Sequence, residues 1–174
     1  MSGSLIKLEE VTVSSAVASV TLGDDKWDTS YDVYMVQYLN VVPVTDNQEV
    51  RMRFTEGGTP NTTANYDRAS KFLRTNASFG NLSNTNQTSF NTDSNIGNVG
   101  GEHQNKTFYI FNANNSSEYT FITEQATQVA STGELSGQQG GGVFTVASAV
   151  DGVNFFTSAD DINSAVFTLY GLAK

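Results

Sequence analysis

Two neighbouring stretches with a two-residue hydrophobic period constrain this chain most. Glu49 to Thr55 places Val50, Met52 and Phe54 on one face and Arg51 and Arg53 on the other, the alternation of a half-buried strand. Just before it, Tyr31 to Asn40 offers large side chains in both registers. Tyr31, Val33, Met35, Gln37 and Leu39 form one, and Asp32, Tyr34, Val36, Tyr38 and Asn40 the other. A strand of that kind is expected to have a neighbour or a contact surface on each face. Turn-formers bracket the pair, with Asp46-Asn47 between them and Gly57-Gly58-Thr59-Pro60-Asn61 after them. The segment Trp27 to Asp67 therefore specifies packed antiparallel strands.

The same pattern extends along the chain. Leu5 to Val13 and Ala16 to Leu22 read as strands broken at Ser14-Ser15, the second of edge type. KTFYIFN (Lys106 to Asn112) and EYTFIT (Glu118 to Thr123) form the best hairpin. Val143 to Val150, Val153 to Phe156 and Ser164 to Tyr170 supply three more strands, with Asp151-Gly152 expected to join the first two as a tight turn. Ala64 to Leu73 fits either a short helix or a strand, and its β surroundings favour the strand. About ten strands result, which predicts an all-β, jelly-roll-like sandwich spanning residues 1–174 as one domain. The region from about 75 to 105 is rich in Asn, Ser and Gly, residues that compete for backbone hydrogen bonds and favour turns. It reads as long loops carrying one short strand near Thr88 to Thr92. GQQGGG, from Gly137 to Gly142, lacks the Lys-Ser/Thr of a phosphate loop and reads as a connector or bend.

Charge narrows the function. Eighteen acidic against nine basic residues give a net charge of −9, and there is no basic run, which disfavours nucleic acid as a partner. No apolar run approaches the ~20 residues that cross a bilayer, so no membrane span is expected, and MSGSLIKLEE does not read as a secretory leader. With no cysteine and one histidine, His103, soft-metal binding and thiol chemistry lack their ligands. No nucleophile-elbow spacing or singled-out carboxylate pair is present, so no enzyme activity and no cofactor are expected. Calcium stays open at Asp24, Asp25, Asp28 and Asp32, hard oxygens within nine residues, against their reading as turn-forming aspartates. Trp27, Tyr66, Phe79 and Phe90, at loops or strand ends, and Tyr34 and Tyr38, on the long strand, are the aromatics nominated for contact with a protein partner or a glycan. The competing reading of each is packing at the edge of the sandwich.

The phrases LIKLEEVTVSSAVASVTL, WDTSYDVYMV, RFTEGGTPNTTANYD, YIFNANNSSEYTFIT, GGGVFTVASAVDGVNFF and AVFTLYGLAK carry a resemblance across almost the whole chain. It resembles a family of small virion structural proteins from tailed phages of cyanobacteria and marine bacteria. That resemblance implies a protein made in the host cytoplasm and built into the virion. The expected role is a capsid decoration or cement protein that binds the major capsid protein, with a tail-fibre module that recognises host surface glycan as the alternative. It implies other virion proteins as partners and a homo-oligomer, and no residue inherits a catalytic role from it.

Overall fold

A computed structural model describes residues 4–76, 78–91 and 95–173 of the chain. Among them are thirteen strands and one 3-10 turn, Asp24–Lys26, more strands than the sequence periodicity resolves. The strands are β1 (Leu5–Val13), β2 (Ser19–Gly23), β3 (Val33–Pro43), β4 (Val50–Glu56), β5 (Thr59–Pro60), β6 (Tyr66–Arg74) and β7 (Phe79–Gln87). Then follow β8 (Phe90–Asn91), β9 (Gln104–Phe111), β10 (Tyr119–Val129), β11 (Leu135–Ala147), β12 (Gly152–Thr157) and β13 (Ile162–Leu172). Two antiparallel sheets pack as a sandwich. The larger has the order β1-β13-β3-β9-β10-β11-β6-β7, and the smaller β2-β12-β4-β5 with β8 also paired to β4.

The core lies between the sheets and is largely aromatic. Phe155 of the small sheet stands against Tyr38, Phe108 and Phe167 of the large one, with ring centroids 5.1–6.0 Å apart. Phe54 and Phe90 similarly meet Tyr66 and Phe144. Offset and edge-to-face pairs of this kind add attraction beyond the buried area. The alternation read in β4 holds, with Val50, Met52 and Phe54 buried and the two arginines half-buried. The hairpin of β9 and β10 also forms, and Ala64 to Leu73 is a strand, as β6.

Three expectations fail for identifiable reasons. First, the polar region is not all loop. Residues 79–87 form β7, paired to β6 from Leu73↔Phe79 to Tyr66↔Gln87. None of its residues is buried, so an edge strand here asks little of its side chains, and backbone pairing overrides the weak strand propensity of Asn and Ser. The short strand expected nearby is β8; Thr92 lies outside the described residues. Second, GQQGGG is not a bend but the middle of β11, flanked by β10 and β6. A Cβ on Gly140 would lie 2.4 Å from the Ser70 Cβ, and one on Gly142 2.6 Å from the Phe90 ring. The glycines answer a close approach, not a need to flex. Third, Asp151-Gly152 does not close a hairpin. β11 belongs to the large sheet and β12 to the small one, so the chain crosses the sandwich there. Asp151 braces the crossing, its carboxylate accepting the Thr55 hydroxyl at 2.6 Å and the Gly58 N–H at 3.0 Å. Asp151→Ala should lower stability by about 2 kcal/mol, the scale for hydrogen bonds to a charged group, measured as a shift in the urea midpoint.

Candidate functional site

Inside the sandwich, the large sheet carries a polar layer that joins strands far apart in sequence. β6 contributes Arg68, β9 Lys106 and β10 Glu124, all buried. Glu124 Oε1 accepts Arg68 Nε–H at 2.6 Å and Gln138 Nε2–H at 2.8 Å, while its Oε2 forms an ion pair with Lys106 Nζ at 2.7 Å. A further Arg68 nitrogen donates to the Asn91 carbonyl of β8. Burial on its own pushes the Glu124 carboxyl up; the adjacent charges of Lys106 and Arg68 outweigh it and hold the group below the usual range. Beside this triad the Tyr38 hydroxyl donates to Gln104 Oε1, and Gln104 Nε2 donates to Gln128 Oε1. Burial raises the Tyr38 phenol well above its ordinary value, and the Glu124 charge adds to that. Among the described residues each of these groups has a protein partner, and together they bind the sheet's strands to one another.

Five of the six nominated aromatics belong to this interior rather than to a contact surface. Trp27 is buried and stacks on Tyr34 at 4.2 Å. The Tyr34 hydroxyl accepts Asp28 N–H at 2.8 Å and donates to the Asp28 carbonyl; burial lifts its phenol to about 12. Tyr38 is committed to Gln104 as described. The Tyr66 hydroxyl donates to the Asn61 carbonyl at 2.9 Å and accepts Phe54 N–H at 3.2 Å, and Phe90 packs edge-on to Phe54 and Tyr66. A tyrosine beside a turn is well placed to reach inward while its hydroxyl meets a backbone group, so proximity to a loop does not give exposure. Only Phe79 stands out, 69% exposed on β7.

Three of the four aspartates show local contacts. Asp28 Oδ1 accepts Ser30 N–H at 2.7 Å, and this hydrogen bond holds its carboxyl below the usual range. Asp25 pairs with Lys26, and Asp24 N–H donates to the Asp151 carbonyl at 3.0 Å. Among the described residues no three His, Cys, Asp or Glu side chains gather to hold a metal ion. His103 Nε2 accepts Gly101 N–H at 3.1 Å.

The outer face of the large sheet is the surface that sequence reasoning missed. Strand register lines up Thr168, Gln37, Thr107, Gln125, Gln139 and Lys71 across six neighbouring strands. The row continues to Glu10 on β1 and Asn81 on β7, so that every strand contributes a polar side chain. Gln37 Nε2 donates to Thr107 Oγ1 at 3.1 Å. On one side of the row a hollow of about 280 Å³ is lined by Thr107, Tyr109, Thr123, Gln125 and Gln139. On the other, a hollow of about 300 Å³ is lined by Leu39, Asn105, Thr107, Gln125 and Thr127. Exposed apolar side chains stand on other rows of this face, at Leu39 and Phe121 on central strands and at two diagonally opposite corners. Leu5 pairs with Leu172 at the β1 margin, and Leu73 pairs with Phe79 at the β7 margin, with Leu135 on the same side; all are exposed.

No family model and no characterised protein matches the chain. Among solved structures, a fructofuranosidase from Schwanniomyces occidentalis complexed with fructosylnystose aligns with 98% of this chain and 34% of its own length, at 6% identity and a TM-score of 0.25. An infectious bursal disease virus structure, Gt strain, aligns with 95% of this chain and 40% of its own, at 10% identity and a TM-score of 0.16. The VP2 subviral particle of that virus aligns with 98% and 40%, at 7% identity and a TM-score of 0.13. The chain thus spans well under half the length of these proteins, and scores this low carry no inference about it.

Proposed function

We propose that the chain is a non-enzymatic structural protein of a virus particle, displayed on the capsid as a decoration protein and held there by protein–protein contacts. The observation that carries this reading is the pair of exposed apolar corners at opposite margins of one sheet face. Leu73 and Phe79 are 54% and 69% exposed, and Leu5 and Leu172 46% and 41%. Exposed apolar groups gathered in patches mark contact sites. Two different patches on opposite sides suit head-to-tail contacts between neighbours, whether copies of this chain or capsid subunits. The resemblance of the sequence to small phage virion proteins supports the same reading, and so does an aromatic core built around hydrogen-bonded structural groups. Nucleic acid does not suit a surface of net charge −9.

The test is addition of the purified chain to particles assembled without it. It should bind in many copies over the head, located by imaging. Leu73→Asp combined with Phe79→Asp should weaken that binding at least about tenfold, the effect of losing roughly 1.4 kcal/mol of contact, while the melting temperature stays unchanged. Undiminished binding by the double variant, or no binding by the wild type, defeats the reading. A few copies located at the tail would assign the chain to a tail-fibre module instead.

A further inference from the structure

We infer that the outer face of the large sheet binds an uncharged, hydroxyl-rich polysaccharide chain along its polar row, at Gln125 and Gln139 with Tyr109 beside them. The inference rests on the polar row and not on the apolar corners, so it stands apart from the capsid reading.

Three features of the row lead to that ligand. The first is its chemistry. The Gln125 and Gln139 side chains are exposed, and among the described residues neither amide has a hydrogen-bond partner. A carboxamide presents an acceptor and two donors in one plane, which matches the donor-and-acceptor hydroxyl pairs of a sugar ring. Thr107 and Thr123 add hydroxyls, and the Tyr109 ring, 43% exposed, offers an apolar face to the C–H side of the same ring. The second is shape. Thr107 and Gln125 form a shared wall between the two hollows, one on each side of the row. Thr168 is buried, so the accessible row runs over the six strands from β3 to β7. At about 4.8 Å between strands that is a track of roughly 25 Å, long enough for several sugar rings laid across the sheet. The groups sit on β9, β10 and β11, each paired on both sides, so they are held in place before any ligand arrives.

The third is charge. Glu124 and Lys106, which line one hollow each, are buried and paired with each other, and the rest of the lining is amides, hydroxyls, the Tyr109 ring and small or aliphatic groups such as Leu39. With a net charge of −9 on the whole chain, a sulfated or uronate-rich polymer would meet repulsion, and a neutral one would not. A protein partner is better served by the apolar corners, which lie on other rows of the same face.

The experiment titrates the full chain with neutral glucan, mannan and galactan oligosaccharides, and in parallel with alginate and a sulfated galactan, followed by calorimetry. At least one neutral class should bind and the two anionic polymers should not. Gln125→Ala and Gln139→Ala should each weaken binding about tenfold, and Tyr109→Ala by a similar factor, the scale of one lost hydrogen-bonding or ring contact. All three positions are exposed, and an unchanged melting temperature verifies that the variants fold. Leu73→Asp with Phe79→Asp should leave sugar binding intact while reducing particle binding, which separates the two readings. Failure of every neutral sugar at millimolar concentration, tighter binding of an anionic polymer, or equal binding by wild type and the three variants would each overturn the inference.

Discussion

Glu124→Ala is expected to cost about 3–5 kcal/mol, the scale for removing one partner from a buried ion pair. That is a large share of the ~5–15 kcal/mol by which a domain is stable. Arg68 and Lys106, both buried, would each lose the carboxylate they share. The urea midpoint at neutral pH measures the loss. Replacing all three together, as Arg68→Met, Lys106→Met and Glu124→Leu, removes the two buried cations as well, and the combined variant should recover most of that stability. A triple variant no more stable than Glu124→Ala alone would mean that the network contributes more than the pairing of its charges.

The same residue sets a pH dependence. Its carboxyl sits below the ordinary 4.5 in the folded chain, because the neighbouring cations outweigh the effect of burial. A depressed folded value means that the unfolded chain takes up the proton first. The contribution is therefore complete above about pH 4.5 and fades as the pH falls through the folded value. Glu124→Gln should flatten the acid limb of a stability–pH curve relative to wild type, and an unchanged limb would rule this account out.

Phe155→Ala is the second large effect, at about 3–5 kcal/mol for an aromatic removed from a packed core. Phe155 is the small sheet's contact with three strands of the large one, through Tyr38 of β3, Phe108 of β9 and Phe167 of β13. Its loss leaves a void that neighbouring rings cannot fill without leaving their rotamers. For a chain of this length the melting temperature should fall by roughly 6–20 °C. Phe79→Ala, on the exposed edge, should change stability by no more than about 0.5 kcal/mol. Comparable shifts for the two would contradict the placement of Phe79 outside the core.

These contrasts explain what the sequence could disclose. Alternation in Val50 to Phe54 and in the hairpin of β9 and β10 was readable because each strand has one face against the core. β7 was not, because an edge strand with no buried side chain leaves no periodic mark. The first part of β11, up to Gly142, was not, because its glycines are chosen by how closely Ser70 and Phe90 approach, and those residues lie far away in the chain. Of the aromatics nominated at loops or strand ends, Trp27, Tyr66 and Phe90 take the packing alternative and Phe79 is exposed, since flanking turns describe the path of the backbone, not the direction of a ring. The ion triad did leave a signal. Phe108 and Ile110 point inward, which fixes Lys106 in the same phase; Ile122 does this for Glu124, and Tyr66 and Phe72 for Arg68. Three charges on buried phases call for one another, but only the sheet order brings them together. The outer row needed the order and the register as well.

The pairing of β1 with β13 has a consequence for how the chain reaches this state. Leu5 and Leu172 are partners, so one margin of the large sheet is made from opposite ends of the described chain. β13 also separates β1 from β3. During synthesis, β1 and the facing edge of β3 present unpaired backbone until Ile162–Leu172 has emerged, and β13 then joins segments far apart in the sequence. Closure of so many distant pairings is a slow event with a long interval of open edges. The timing of assembly is thus tied to the completion of the last strand, and a chain stalled before it would be the form most exposed to wrong partners.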